Sequence, residues 1–218
     1  MRVVIAGGHG QIALRLTRLL AGRGDTVVGL VRNPDHVADV NAAGGDAVVL
    51  DLENAAAGEV AAAITGADAV VFAAGAGPGS GTARKDTVDR AASVLLADAA
   101  LAAGVRRYVQ VSAMGLDRAD DPDMDEVFAV YLRAKAAADD DLMSRDLEWT
   151  ILKPGRLTDD PGTGTVTLAA SVPPGAVTRD DVATVLAGLL DRPSTAGQVL
   201  ELVGGDTAIE AAIDAATG

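Results

Sequence analysis

The sequence predicts an open, doubly wound α/β fold around a mostly parallel sheet, and three observations lead there. Apolar runs of strand length alternate with segments of helical spacing along most of the 218 residues. Parallel neighbours impose that rhythm, because each needs a crossover connection. The first strand ends in glycines that open directly into a helix, Gly7-Gly8-His9-Gly10-Gln11-Ile12-Ala13, a junction that belongs to open sheets. The chain is also shorter, and less even in rhythm, than the ~250 residues of an eight-stranded barrel.

In order along the chain, Val3–Ala6 is an apolar, mostly β-branched run, and Gln11–Ala21 places Ile12, Leu16, Leu19 and Leu20 at helical spacing. Gly22 and Gly24 end that helix, and Thr26–Val31 forms a second strand stopped by Arg32-Asn33-Pro34. Asp35–Ala43 reads as a short helix closed by Gly44-Gly45, Ala47–Leu50 as a strand, Ala55–Ile64 as a helix and Ala69–Ala73 as the fourth strand, before a glycine-rich loop over 75–81. Thr82–Ala103 carries Val88, Ala92, Leu95, Leu96 and Ala99 on one helical face, Gly104 ends it, and Tyr108–Val111 is strand five. The acidic segment Asp117–Glu126 reads as an exposed loop, Val127–Met143 as a helix, and Leu147–Leu152 as a strand broken by Pro154-Gly155. The remainder predicts a short strand near Thr165–Leu168, a helix over Arg179–Leu190 capped by Thr178, a strand over Val199–Val203 and a terminal helix. This is one domain over residues 1–218, with small C-terminal additions at 158–178 and 204–218.

Composition narrows the function. A net charge of −13 argues against nucleic acid or an anionic membrane face as partner. The absence of cysteine removes disulfides, thiolate nucleophiles and Cys-type metal sites, and two histidines are too few for a His-based metal centre. No window approaches the ~20 apolar residues of a membrane span, and the start lacks a secretory pattern. A cytoplasmic protein acting on a small molecule, as a monomer or a homodimer, is the expectation. With only five aromatic side chains, the core must be aliphatic.

Ligands of open sheets bind beyond the strand C-termini, so the candidates lie there. The turn around Gly7 and Gly10 leads into a helix whose first amides can hold a pyrophosphate, with Ala13 small enough for close packing on the sheet. His9 contributes its backbone. Strand two delivers Arg32, then Asn33, where a ribose 2′-hydroxyl would call for Asp or Glu. A cation there suits a 2′-phosphate and so NADPH over NADH, the alternative being a solvated surface arginine. Asp51 is placed either to reach an adenine amino group or to cap a helix. Ala73-Ala74-Gly75 leaves free backbone for a ribose and nicotinamide. Tyr131 and Lys135 stand four residues apart on one helix face. There the ammonium is expected to lower the phenol pKa, so that Tyr131 donates a proton to a carbonyl. Lys135 would also bond the nicotinamide ribose, and Ser112 at the end of strand five would hold the carbonyl oxygen. By itself such a pair is usually a half-buried tyrosine beside a solvated lysine; the glycine turn argues for function. Trp149, the only tryptophan, lies just before the expected nicotinamide loop and would report binding.

Ala6–Ala13, Val31-Arg32-Asn33, Tyr108–Gly115 and Tyr131–Thr158 together resemble the atypical short-chain dehydrogenase/reductases. Within that family the match is to the NmrA-like, NAD(P)H-binding branch that includes flavin and biliverdin reductase-type proteins. The most specific stretch is Tyr-x-x-x-Lys, then Ala137-Ala138-Asp139, then Leu147–Thr158. The resemblance implies a Rossmann-like domain with a minimal C-terminal substrate region. It implies NADP bound by Gly7, His9, Gly10, Gln11, Ile12, Arg32, Asp51, Leu52, Ala73, Ala74, Gly75, Lys135 and the Pro154-Gly155 backbone, and a catalytic set of Ser112, Tyr131 and Lys135. The asparagine that completes a tetrad in many such enzymes has no counterpart after Gly81, where Asp86 and Asp89 stand instead. The expected function is an NADP(H)-dependent oxidoreductase reducing a small carbonyl, quinone or flavin-like acceptor, without a metal. The alternatives are a non-catalytic NADP(H)-binding redox sensor or regulatory protein and, less compatible with the chain's size, a small epimerase or dehydratase. Any lid would come from Asp117–Glu126 and Thr158–Val177.

Overall fold

A computed structural model describes residues 1–75 and 85–216, the side chain of Lys85 apart. Its first half alternates β1 (Arg2–Ala6), α1 (Gln11–Gly22), β2 (Thr26–Val31), α2 (Val37–Ala42), β3 (Asp46–Val49), α3 (Ala57–Ile64) and β4 (Ala69–Phe72). The second half comprises α4 (Ala92–Ala103), β5 (Arg107–Val111), α5 (Glu126–Met143), β6 (Glu148–Pro154), β7 (Arg156–Thr158), β8 (Thr165–Ala169), β9 (Ala176–Thr178), α6 (Arg179–Leu190), β10 (Gln198–Gly204), β11 (Thr207–Ala208) and α7 (Ile209–Ala216). The glycine-rich loop and the start of the helix expected from Thr82 fall outside the described residues. From Lys85 to Ala91 the chain is a wide π-helical stretch that runs into α4.

Among the described residues the main sheet has nine strands in the order β11-β8-β10-β6-β5-β4-β1-β2-β3. The pairings from β3 through to β10 are all parallel, while β8 and β11 close the far edge antiparallel. Strand order reverses between β1, whose neighbours are β2 and β4, and this topological switch opens a crevice at the strand C-termini.

Both faces of the sheet are covered, and strand side chains alternate between two cores. Val3 and Ile5 of β1 join Leu16 and Leu20 of α1, Val185 and Leu189 of α6 and Ile213 of α7. Val4 and Ala6 face the other way, toward Val60 and Ile64 of α3, Leu96 of α4 and Leu142 of α5. Burying each such side chain contributes about 1.5–3 kcal/mol, which is why the strands read as continuous apolar runs rather than alternating ones. Thr178 caps α6 as predicted, its Oγ1 accepting from the Asp181 N–H at 3.0 Å. No helix of the described residues is long and apolar enough to cross a membrane.

Two expectations change. Asp117–Glu126 is not simply a loop: Leu116–Asp120 forms a 3₁₀ turn with Ala119 buried, and Asp125 caps α5 by accepting from the Phe128 N–H at 2.9 Å. Asp35–Ala43 divides into a 3₁₀ turn at Pro34–His36 followed by α2. The strand expected near Thr165–Leu168 is β8 in the main sheet and the terminal helix is α7, while the short β9 pairs β7 in a small parallel sheet and β11 pairs β8. The loop before β8 is tied to α6 by Asp181, which accepts from the Thr163 and Gly164 N–H groups at 3.0 and 2.9 Å.

Candidate nucleotide site and active site

The turn after β1 is shaped by close backbone approach. Gly7 has φ +78°, and a Cβ there would lie 2.6 Å from the Cα of Ala74, while a Cβ on Gly8 would lie 2.6 Å from the Cα of Gly29. No side chain fits at either position. Gly10 closes the turn by donating its N–H to the Gly7 carbonyl at 2.8 Å, and it precedes α1 without any side-chain cap. The first amides of α1 are thereby left for an external acceptor, a geometry that takes an anion. Ala13 is fully buried against the sheet, as its size predicts.

From this turn a cleft of about 300 Å³ runs across the strand ends. It is lined by Gly7, His9 and Gly10 of the turn, Leu30, Val31, Arg32 and His36 at and after the end of β2, Leu50 to Glu53 after β3, Ala73 to Gly75 after β4, and Val88 and Ala92. Arg32 donates from Nη1 to Glu53 Oε2 at 2.8 Å, and its side chain is 53% exposed. Glu53 also accepts from the Thr87 hydroxyl at 2.7 Å. Asp51 lines the cleft and stabilises its own turn, accepting from the Glu53 N–H at 3.1 Å and the Asn54 amide at 2.8 Å. Gln11, Ile12, Asn33, Ser112, Tyr131, Lys135, Pro154 and Gly155 are not in the lining. Asn33 uses its Oδ1 to accept from the Asp35 N–H at 3.0 Å, and the Gly155 N–H is donated to Leu202 O at 2.8 Å.

Behind the cleft, Ser112 and Lys135 enter a buried polar network. Lys135 Nζ donates to the Val111 carbonyl at 3.1 Å, lies 3.5 Å from Asp89 Oδ1 and sits 5.6 Å from the centre of the Phe72 ring. Asp89 comes from the π-helical stretch and reaches the cleft floor, since a Cβ on Gly75 would lie 3.3 Å from its Oδ1. Asp139 accepts from the Ser112 hydroxyl at 2.8 Å and from the Gln110 amide at 2.7 Å, and pairs with Lys153 at 3.2 Å. Gln110 in turn accepts from the Ser93 hydroxyl at 2.6 Å. Asp86, by contrast, pairs with Arg90 at the surface.

These contacts revise two expectations. The Ser112 proton is committed to Asp139, so its hydroxyl is not free to donate to a carbonyl oxygen without breaking that bond. Tyr131 is half-buried and stacks on Phe128 with centroids 5.7 Å apart. Burial, and then the charges of Asp89 and Asp139, push its pKa up rather than down. The ammonium of Lys135 does not reverse this, because Asp89 stands beside it. Tyr131 therefore keeps its proton at neutral pH, as a proton donor must. Trp149 sits at the opposite end of β6 from Pro154, about 16 Å along the strand, too far to touch a nicotinamide bound at the strand's C-terminus.

Asp89, Asp139, Lys153, Glu53 and His36 were not assigned roles from sequence. Only Asp139 had a local signal, being four residues after Lys135 on the same helix.

Residues 7–193 match the family model described as NAD(P)H-binding. A Bacillus subtilis relative named "Uncharacterized sugar epimerase YhfK" is 36% identical, the alignment covering 98% of this chain and 99% of that one. A solved structure from Bacillus halodurans, which carries a provisional NAD-dependent epimerase/dehydratase name, is 34% identical over 99% of both chains with a TM-score of 0.91. The Escherichia coli O157:H7 protein ChuY, named as an anaerobillin reductase, is 25% identical with a TM-score of 0.79, covering 94% of this chain and 98% of that one.

Proposed function

The chain belongs to the NAD(P)H-binding family, and on that premise we propose that it is an NADPH-dependent oxidoreductase reducing a small carbonyl, quinone or flavin-like acceptor. The observation that carries this reading is that Tyr131 and Lys135 share the helix packed behind the cleft, with Lys135 anchored at the end of β5. The uncapped start of α1 and the side-chain-free turn at Gly7 and Gly10 suit a pyrophosphate. Ala73, Ala74 and Gly75 leave room for the nicotinamide ribose, and Arg32 meets the 2′-phosphate in exchange for Glu53. Bound there, the dinucleotide supplies a hydride; Tyr131 supplies the proton to the acceptor oxygen. Lys135, anchored by Asp89 and Val111 O, fixes this helix against the end of β5. Ser112 and Asp139 position the end of β5 beneath it.

The name of ChuY supports a reductase, whereas the epimerase names belong to uncharacterized or provisionally named relatives. The described residues after Gly155 form β7 to β11 and two helices. The test is NADPH oxidation across quinones, flavins and aldehydes. Turnover that is lost in Tyr131→Phe with NADPH binding intact supports the proposal; full activity in that variant overturns the mechanism.

A second reading, a nucleotide-binding redox sensor without turnover, is favoured by one observation. The polar hydrogens of Ser112 and Lys135 point into buried partners. Tight NADPH binding with no oxidation by any acceptor would decide for it.

A further inference from the structure

Of the five aromatic side chains, three serve the core and two do not. Phe72 and Tyr108 are fully buried, and Trp149 packs against the core that holds them. Phe128 and Tyr131 belong to neither core. They stack on each other one helical turn apart near the start of α5, with ring planes 29° apart. Phe128 takes the outer place and is 48% exposed, and Val127 beside it is exposed as well. On its inner side Tyr131 lies in the field of Asp89 and Asp139, and Asp89 reaches the cleft floor at Gly75. The stack therefore leads from the cleft floor, through the proposed proton donor, out to an unburied ring.

The helix start does not call for an aromatic ring here: the cap uses only the Phe128 backbone, whose N–H is donated to Asp125 Oδ1 at 2.9 Å. A flat conjugated acceptor laid on Phe128 would continue the stack beside the Tyr131 phenol, a contact that a small aliphatic carbonyl cannot make. Charge around the ring narrows the choice. Between Asp117 and Glu126 stand six carboxylates and one arginine. Arg133 holds this segment against α5 by donating to Asp120 at 2.8 Å, and Arg118 faces Asp121 at 3.6 Å. Two cations do not balance the carboxylates, so the rim beside Phe128 is net negative and repels an anionic acceptor.

We infer that Phe128 is a specificity residue whose outer face carries the ring system of an uncharged planar quinone, taken in preference to anionic ring acceptors and to small aliphatic carbonyls. This rests on the reading of the cleft as a reductase site with Tyr131 as proton donor. The quinone accepts the hydride of NADPH and the Tyr131 proton, leaving NADP⁺ and the hydroquinone, and solvent returns a proton to the phenol. Phe128 takes no part in that transfer. Its contact is with the bound acceptor, so it sets KM and leaves kcat to Tyr131.

Steady-state kinetics at saturating NADPH test the inference with menadione, a naphthoquinone sulfonate and butanedione as acceptors. In the wild type menadione should have the lowest KM, and the KM of the sulfonate alone should fall as salt screens the acidic rim. Phe128→Ala should raise the KM for menadione about three- to tenfold, the range of an aromatic contact, with kcat held. Phe128→Tyr should restore it. An unchanged KM for menadione in Phe128→Ala, or a sulfonate taken as readily as menadione at low salt, overturns the inference and leaves the reductase reading in place. So does a Phe128→Ala chain whose only change is a smaller particle on gel filtration, which would assign the ring to an interface between copies. No turnover of any acceptor by the wild type removes the reductase reading and this inference with it.

Discussion

At the β2 end of the cleft the charged side chains stand at the surface: Arg32 is half-exposed against Glu53, and His9 meets a largely exposed Asp39. At the β5 end, Ser112, Lys135, Asp89 and Asp139 are all at most 5% exposed and joined to one another through the backbone and to Gln110, Ser93 and Lys153. The physical consequences are opposite. Exposed pairs contribute about 0–1 kcal/mol and exchange readily for another anion, so the β2 end is suited to selecting a ligand. Buried pairs are set when the chain folds, and losing one partner leaves an uncompensated charge. Selectivity at one end should therefore be separable from stability, whereas the buried charges at the other should not.

The strongest break in this contrast is Asp139→Ala. Removing the shared acceptor of Ser112 and Gln110 and the partner of Lys153 is expected to cost about 3–5 kcal/mol, read from urea unfolding; a loss below about 1 kcal/mol, the range of a surface pair, would erase the distinction. Tyr131→Phe should lower turnover by about 10²–10⁴-fold with the unfolding midpoint and NADPH affinity unchanged. Arg32→Gln should weaken NADPH by about tenfold, in line with about 1.5–3 kcal/mol for a charged hydrogen bond, while NADH affinity and stability hold. The smallest effect is confined to acid. Burial raises the Asp181 pKa, but the Thr163 and Gly164 N–H groups and the Thr178 and Thr163 hydroxyls hold it below the usual carboxylate value. The folded state then binds a proton less readily than the unfolded one. This stabilisation is complete above about pH 4 and fades as the pH drops through the depressed folded value. In Asp181→Asn that part of the acid profile should flatten.

The parallel frame was legible because apolar periodicity and glycine breaks are local signals, and the turn at Gly7 and Gly10 stood where such breaks predict it. Arg32, Tyr131, Lys135 and Ser112 were legible as residue types at strand and helix positions. Their partners were not. Asp89 reaches Lys135 across 46 positions of chain, and only the close approach of the π-helical stretch to α5 makes that pair. The direction of the Tyr131 shift differs from the sequence expectation for the same reason: Lys135, one helical turn away, is paired with an aspartate distant in sequence. β7, β9 and β11 are two or three residues long, too short to show a period of two.

The approach of Gly8 to Gly29 bears on how this chain can vary. A side chain on Gly8 would meet the Gly29 backbone at 2.6 Å, whereas one on Gly29 would press first on the Val40 side chain at 3.1 Å and then on Gly8 at 3.3 Å, so the turn is the less tolerant of the two positions. A side chain at position 29 would therefore displace the anion-binding turn by a few tenths of an ångström even where every ligand-facing residue is kept.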